Sequence, residues 1–573
     1  MIFYNAWDLN HKKPFGAVPV GTEVFFSIIA DQCSAAYLCT DTMGEFKMEQ
    51  DGSRFSFSLR PDKLGLIFYF FRVFTDQGIP VFLNKHTGGE SCCSSNVTEK
   101  FQLTVYPKRP PLPSWYTQGI AYQIFPDRFA ISGGVQSPKP NSFLYGSWED
   151  KPMYIKQDGN VVRWDFFGGN LKGIQEKLPY LKDLNVTVLY LNPIFESSSN
   201  HRYSTGDYSK IDPMLGTLED FQNLVSQAEK IGIKIILDGV FNHTGADSFS
   251  FNKFGRYPTT GAYQSTDSPY YSWYHFRHFP DDYESWWGVG DLPRLNTECP
   301  DVVEYLITGE NSIIKQWTKT GIGGWRLDVA DELPDCFLRL IHQTTNEIND
   351  KAVILGEVWE DASNKVAYGV RKTYFTEFEL DCVMNYPFRN HILAFLRHEI
   401  SSKELETRFM TQMENYPLEN FMGNLNLLSS HDVERILTIV QSINQDHCFQ
   451  LLEQLVFLQF CFPGVPCIYY GDEAGVEGGK DPDNRRTYPW GRENKQILDL
   501  YHRACQMRAT HDILKQGATR FFSYEADIFG VIRLLDQQQF GIFINRSDKE
   551  ISFPYQEDFI TVAPFGYTFH KKT

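Results

Sequence analysis

Between residues 121 and 473, eight short apolar runs of strand-forming residues alternate with amphipathic helical stretches, and this alternation constrains the fold more than anything else in the chain. The runs are AYQIFP (121–126), VTVLYLNP (186–193), KIILDGV (234–240), GWRLDVA (324–330), AVILGEV (352–358), FELDCVMNYP (378–387), NLNLLSS (424–430) and VPCIYYGDE (465–473). Helical periodicity lies between them, as in TLEDFQNLVSQAEKIG (217–232), EYLITGENSIIKQWTKTG (304–321) and FQLLEQLVFLQF (449–460). Strands that are apolar almost throughout are buried on both faces, which is the pattern of a parallel sheet covered by crossover helices. Eight such units is the count that closes a barrel, so the expected fold class is α/β, a (β/α)8 TIM barrel.

The flanks have a different texture. From Val18 to about Tyr106, runs such as TEVFFSII, RFSFSLR, IFYFFRVF and KFQLTVY alternate apolar and polar residues between Gly, Asp and Pro turns, as the strands of a β-sandwich do. PKRPPLPSW (107–115) holds four prolines and reads as a stiff, extended connector. Two connections exceed what a barrel needs: 127–170, and 244–299, which is rich in Tyr and Trp and reads as a small inserted domain after the third strand. Beyond His511 the runs TRFFSYEA, FGVIRLL, FGIFINR and FITVAP predict a C-terminal β domain. The expected division is a sandwich over 1–112, a barrel over 113–510 with the insertion at 244–299, and a β domain over 511–573.

Charge excludes several partners. Lys and Arg number 54 against 71 Asp and Glu, for a formal charge of −17. With no Lys/Arg block, nucleic acid and anionic lipid are poor partners. The most apolar stretch (455–470) is broken by Gln459, Pro463, Gly464 and Pro466, so no transmembrane helix is expected. MIFYNAWDLNHKKPFG lacks the apolar centre of a secretion signal. Eleven cysteines without a CxxC pair suggest free thiols in a reducing cytoplasm and no zinc site.

In such a barrel the loops at the C-terminal ends of the strands gather at one pocket. The third run ends in Asp238-Gly-Val-Phe-Asn242-His243, the fourth in Arg326-Leu-Asp328-Val-Ala-Asp-Glu332, the fifth in Glu357-Val-Trp359 and the seventh in Ser430-His431-Asp432. Four strand tips thus offer carboxylates and histidines together. A retaining glycosidase needs a carboxylate nucleophile and a carboxylic acid about 5–5.5 Å apart. Arg326, two residues before Asp328 on one strand face, is expected to keep that carboxylate ionised. Glu357 ends an apolar strand and is expected to sit in apolar surroundings that favour its protonated form, which suits a proton donor.

DGVFNH, GWRLDVADE, GEVW and SSHD, in this order, resemble the four motif regions of the α-amylase family, glycoside hydrolase family 13. The N-terminal sandwich adds a resemblance to the neopullulanase, cyclomaltodextrinase and maltogenic amylase group. The resemblance implies Asp328 as nucleophile, Glu357 as acid/base and Asp432 as the third carboxylate, gripping sugar hydroxyls. It implies that His201, Tyr203, His243, Arg326, Trp359, His431, Asp481 and Arg485 bind substrate, while Asp238 and Asn242 support the loops. Glu332 is read either as orienting an acceptor water or sugar, or as a carboxylate at a helix start. Relatives often hold Ca²⁺ after the first strand; here Asp127 is followed by AISGGVQSPKP, and Asp165 with Asn170 alone makes a weak site, so no cofactor is required and Ca²⁺ stands as a disfavoured alternative.

The implied activity is retaining hydrolysis, with some transglycosylation, of α-1,4-glucosidic bonds in maltodextrins, cyclodextrins or pullulan. The implied assembly is a homodimer formed through the N-terminal domain. An amylopullulanase-type enzyme that also cuts α-1,6 bonds is an alternative. A non-catalytic α-glucan-binding or transporter-associated barrel is another, which the intact triad and the lack of an anchor segment disfavour.

Overall fold

The structure, a computed structural model, describes residues 2–134, 139, 142–157 and 160–572. Each of the eight apolar runs contains a strand of one parallel sheet: β1 (Ala121–Ile124), β2 (Val188–Leu191), β3 (Lys234–Gly239), β4 (Gly324–Leu327), β5 (Val353–Gly356), β6 (Cys382–Val383), β7 (Leu425–Leu427) and β8 (Val465–Tyr469). Hydrogen bonding runs β6-β5-β4-β3-β2-β1-β8-β7. A parallel bridge from Met384 to Leu425 joins the two ends, so the sheet closes as a TIM barrel.

Because strand side chains alternate, every second residue points inward. Ala121, Val188, Tyr190, Ile236, Val353, Leu355, Cys382, Leu425, Leu427, Val465 and Cys467 form one buried interior cluster. The intervening residues, including Leu189, Leu237, Trp325 and Ile354, pack outward in the larger core. A Cβ on Gly324 would lie 2.0 Å from the Val353 carbonyl oxygen, so only glycine lets β4 meet β5.

Among the covering helices, α1 (Leu218–Lys230) opens with a capping box between Thr217 and Asp220 and buries Phe221, Leu224, Val225 and Ala228. The stretch expected to be helical at 304–321 is interrupted: a π-turn at Glu304–Thr308 and a short helix at Ile313–Thr318 flank Gly309, whose extended backbone breaks the run.

Strands between Ile2 and Tyr106 form a five-stranded and a seven-stranded sheet packed face to face. In the central strand Gly65–Thr75, Ile67, Tyr69, Phe71 and Val73 point into the shared core with Phe26, Ile28 and Phe55. The sandwich sits against the barrel. The Lys12 ammonium lies 3.5 Å from Glu414 with both side chains buried, Trp7 Nε1 donates to Glu414 Oε2 at 2.9 Å, and Asn364 Nδ2 donates to Gln102 Oε1 at 2.8 Å.

The segment 244–299 contains a 3₁₀ turn at Tyr271–Trp273 and a hairpin of Phe276–His278 with Asp282–Tyr283. Its buried rings Phe251, Trp273, Tyr274 and Tyr283 belong to the same cluster as the barrel's outer core, so this insertion has no separate core of its own. After His511, four strands form an antiparallel sheet beside the hairpin Ile551–Tyr555/Asp558–Val562. Among the described residues no helix is long and apolar enough to cross a membrane.

Candidate active site

The inward register of the strands is apolar at the barrel's waist and turns polar at its C-terminal end. One or two steps beyond the interior layer stand Gln123 after β1's Ala121, Asn192 after Tyr190, Asp238 after Ile236, and Glu357 after Leu355. On β4 the same face carries Arg326 and then Asp328. Period-two alternation therefore aims all of these side chains into one pocket.

Arg326 is the hub, with its guanidinium fully buried. Nη1 donates to Asp238 Oδ1 and to Asp328 Oδ1, each at 2.7 Å, and Nη2 lies 2.8 Å from Glu357 Oε2. Asp238 also accepts Tyr190 at 2.6 Å and Tyr203 at 2.7 Å on Oδ2, so it anchors both the arginine and two rings.

Glu357 is not in the apolar setting expected of it. Its Oε2 accepts the Val329 N–H at 2.7 Å and its Oε1 accepts Trp359 Nε1 at 3.1 Å. Val329 reaches this position with φ 41°, a left-handed conformation strained for a β-branched residue. A second correction concerns Asp328. Burial, reinforced by the Glu357 and Asp238 charges, pushes its carboxyl well up, and the opposing pull of Arg326 does not cancel this. Burial with Glu357 nearby raises Asp432 to about 7, and burial raises Asp238. Asp238 and Asp328 share one guanidinium, so their titrations are coupled and belong to the pair more than to either residue.

The histidines stay neutral. Burial lowers His243 to about 4, and burial with Arg485 lowers both His201 and His431 well below their ordinary value. The Gln123 amide, 3.0 Å from Asn192 Oδ1, donates to His431 Nδ1 at 2.9 Å, which assigns the ring proton to Nε2. Nε2 lies 2.6 Å from the Tyr203 hydroxyl and 3.0 Å from Asp432 Oδ2. The Tyr203 and His431 rings are near-parallel at 5.2 Å. His201 Nδ1 accepts the Tyr203 N–H at 3.0 Å, and its ring meets Trp164 edge-on.

On the β8/β1 side Arg485 lies 2.9 Å from Asp481 and 3.7 Å from Asp432, and the Tyr154 hydroxyl donates to Asp481 at 2.9 Å. On the β5 side Trp359 is 38 % exposed and stacks on Tyr386 at 3.8 Å. Asn242 is buried, and its carbonyl accepts the Leu295 N–H at 2.9 Å, tying the β3 loop to the end of the insertion. Glu332 lies at the end of a 3₁₀ turn, with Oε1 bonded to Trp287 and Tyr368.

The candidate calcium ligands are otherwise engaged. Both Asp165 oxygens accept from Arg163, at 2.7 and 3.1 Å. Asn170 Oδ1 caps a helix through the Gly173 N–H and also accepts from Ser132 N–H. Residues 135–138, part of the loop on which the calcium reading rests, lie outside the described residues. Among the described residues the donor set does not fit the several free oxygens that calcium wants.

Sequence reasoning missed Gln123, Asn192, Tyr190 and Tyr154. For the first two a signal was present: a lone amide near the end of an otherwise apolar strand.

A sequence profile of the alpha-amylase catalytic domain matches residues 123–495. An amylopullulanase of Thermoanaerobacterium thermosulfurigenes is 36 % identical over 642 aligned positions, covering 96 % of this chain and 34 % of that protein. Neopullulanase 2 of Thermoactinomyces vulgaris is 35 % identical over 76 % of this chain and 71 % of its own. A solved cyclomaltodextrinase superposes with a TM-score of 0.70 at 28 % identity, covering 96 % of this chain and 92 % of that one. The chain thus spans about a third of the amylopullulanase and most of the other two.

Proposed function

Since this chain belongs to the α-amylase family, we propose that it is a retaining glycoside hydrolase acting on α-1,4-glucosidic bonds of maltodextrins, cyclodextrins or pullulan. The observation that carries this reading is the sharing of one guanidinium by Asp328 and Glu357, at 2.7 and 2.8 Å. A single fork holds the two carboxyl groups close, which supports the separation of about 5–5.5 Å of a retaining pair.

In the first step Asp328 Oδ attacks the anomeric carbon while the bond to the leaving oxygen breaks and Glu357 gives that oxygen its proton. The step needs Glu357 protonated and Asp328 ionised, and the Arg326 guanidinium at 2.7 Å meets the charge on Asp328. In the second step Glu357 takes a proton from the incoming water, whose oxygen displaces Asp328. A sugar hydroxyl in place of water gives transglycosylation. Asp432, His431, His243, His201 and Tyr203 grip the sugar whose bond is cut, and Arg485 with Asp481 closes the pocket beyond it. No metal enters this chemistry, a reading supported by the engagement of Asp165 and Asn170.

The amylopullulanase similarity, which runs along 96 % of the chain, favours α-1,6 cleavage as a second reading. Pullulan products decide: panose marks α-1,4 cleavage and maltotriose marks α-1,6 cleavage. Early products followed by proton NMR should keep the α-configuration; release of the β-anomer removes Asp328 from its role as nucleophile.

The same reading makes the protein a cytoplasmic homodimer joined through the sandwich. Burial of seven cysteines as single thiols supports a reducing compartment. Light scattering of the full chain tests the dimer, and a monomer overturns it.

A further inference from the structure

Two amides in the wall of the pocket have no part in the chemistry above. Gln123 interrupts the otherwise apolar β1, Asn192 follows β2, and both are buried. A buried carboxamide without partners costs about 1–3 kcal/mol, so where their hydrogen bonds go is a question with an answer. They close a circuit of four side chains. Gln123 Nε2 lies 3.0 Å from Asn192 Oδ1 and 2.9 Å from His431 Nδ1, Asn192 Nδ2 donates to the Tyr203 hydroxyl at 2.9 Å, and His431 Nε2 meets the same hydroxyl at 2.6 Å.

Counting hydrogens fixes the direction of every bond in the circuit. The Tyr203 hydroxyl has one hydrogen, which Asp238 Oδ2 accepts at 2.7 Å. Its two lone pairs are left for Asn192 Nδ2 and His431 Nε2, so both of these donate. The other end of the circuit gives the same tautomer, because the Gln123 NH2 group at Nδ1 needs a bare nitrogen there. Reversing one amide alone would set oxygen against oxygen or NH2 against NH2. Reversing both would surround the single Tyr203 hydrogen with three acceptors, Asn192 Oδ1, Asp238 Oδ2 and His431 Nε2. Burial, with Arg485, Arg326 and His201 nearby, keeps His431 neutral, so the hydrogen on Nε2 is the one its imidazole carries.

That hydrogen also faces the third carboxylate, since Asp432 Oδ2 lies 3.0 Å from Nε2. With the proton on Nδ1 instead, a bare Nε2 would turn its lone pair toward the Asp432 carboxylate and the Tyr203 oxygen, and Asp432 would be pushed from its place. Gln123 stands on firm ground for preventing this. Its strand is hydrogen-bonded on both sides, with Gln123 in register with Tyr190 of β2 and Tyr469 of β8. A side chain on such a strand is held more closely than one on a loop. The sheet order is β2-β1-β8-β7, so the amide reaches past β8 to hold a residue of the loop after β7.

We propose that Gln123 is a positioning residue of this site. By giving an amide hydrogen to Nδ1 it locks His431 in the Nε2–H form, which holds Asp432 where it grips the sugar hydroxyls, and Asn192 keeps the Gln123 amide from turning over. Both amides act through other side chains. The inference rests on the glycosidase reading for the role of Asp432, whereas the tautomer is a property of the resting protein.

The test joins a spectrum to a rate. In the full chain labelled with ¹⁵N-histidine, His431, identified by the signals missing from an H431Q variant, should show a bare Nδ1 and a protonated Nε2. Gln123→Glu keeps the shape but offers Nδ1 an acceptor, so the proton should move to Nδ1 and kcat on maltohexaose should fall about 10²-fold, as for a group displaced by about 1 Å. Gln123→Met removes the amide without burying a charge and decides the matter if the glutamate variant does not fold. Its two His431 nitrogen signals should draw together as the proton exchanges between them, and kcat should fall about tenfold. A proton on Nδ1 in the parent overturns the proposal, and so does a variant in which neither signals nor kcat change. A lower kcat with the parent's nitrogen signals overturns it as well, since Gln123 then serves packing alone, and shifted signals with an unchanged kcat mean that the tautomer has no bearing on the reaction. If the parent cleaves no maltohexaose, the glycosidase reading fails instead, and calorimetric titration with maltohexaose replaces the rate: about tenfold weaker binding by Gln123→Met supports the positioning role, and equal binding overturns it.

Discussion

Arg326 Nη1 stands 2.7 Å from Asp328 Oδ1, two residues further along the same strand, and at the same distance from Asp238 Oδ1 on the neighbouring one. The other arm of the fork faces Glu357. One planar cation therefore sets the mutual positions of three carboxyl groups. A lysine ammonium is a compact charge without the fork and cannot serve all three in these directions. Arg326→Lys should fold, by circular dichroism, yet lose about 10²–10³-fold in kcat, the usual effect of misplacing one electrostatic contact to a transition state.

Glu357→Gln should separate substrates by leaving group. Activity on maltotriose, whose departing sugar needs a proton, should fall about 10²–10⁴-fold. An activated aryl glucoside, which leaves as a stable phenolate, should lose far less. Equal losses on both would remove Glu357 from the role of proton donor.

The sequence made the barrel legible because the evidence for it is local: Val, Ile and Leu runs such as VLYL and VILG become strands buried at every position. The strand tips were legible for the same reason, since Asp238, Asp328 and Glu357 interrupt those runs. Contacts across the barrel were not. That Glu357 would receive the Val329 and Trp359 N–H groups depends on a left-handed residue and a loop return that no apolar pattern encodes. The meeting of Trp287 and Tyr368 on Glu332 joins segments about 80 residues apart, and nothing in either segment names the other.

Glu473, after β8, is fully buried and accepts Tyr122 at 2.5 Å, Tyr180 at 2.9 Å and the Gly471 N–H at 3.0 Å. Burial outweighs these donors and lifts its carboxyl to about 7. A folded carboxyl above its unfolded value of about 4.3 binds more protons in the folded state, so its contribution is full below that value and is lost as pH rises to about 7. Glu473→Gln removes the titration. Melting temperatures compared between pH 5 and pH 8 should show a smaller fall for the variant than for the parent; parallel slopes would mean that Glu473 ionises in the fold as it does in the unfolded chain.

Lys12 and Glu414 test how firmly the sandwich is held. Burial lowers the Lys12 ammonium and Glu414 partly restores it, and among the described residues the one ion pair that Lys12 makes is with Glu414. Lys12→Met leaves the Glu414 carboxylate buried with only the Trp7 N–H, and breaking a buried pair from one side costs about 3–5 kcal/mol. The loss falls on the seam between domains, since each domain has its own core. Proteolysis within the proline-rich segment 107–113 should therefore become faster, while the barrel's far-ultraviolet spectrum stays intact. This variant is a cleaner probe than removing residues 1–113, because deletion also uncovers Glu414, Ser363 and Asn415, which the sandwich covers through Lys12, Gln102 and Thr104. If the sandwich shapes the acceptor side of the cleft, loosening it should lower the ratio of cyclodextrin to starch activity. Faster cleavage at 107–113 with an unchanged ratio would confine the sandwich to stability.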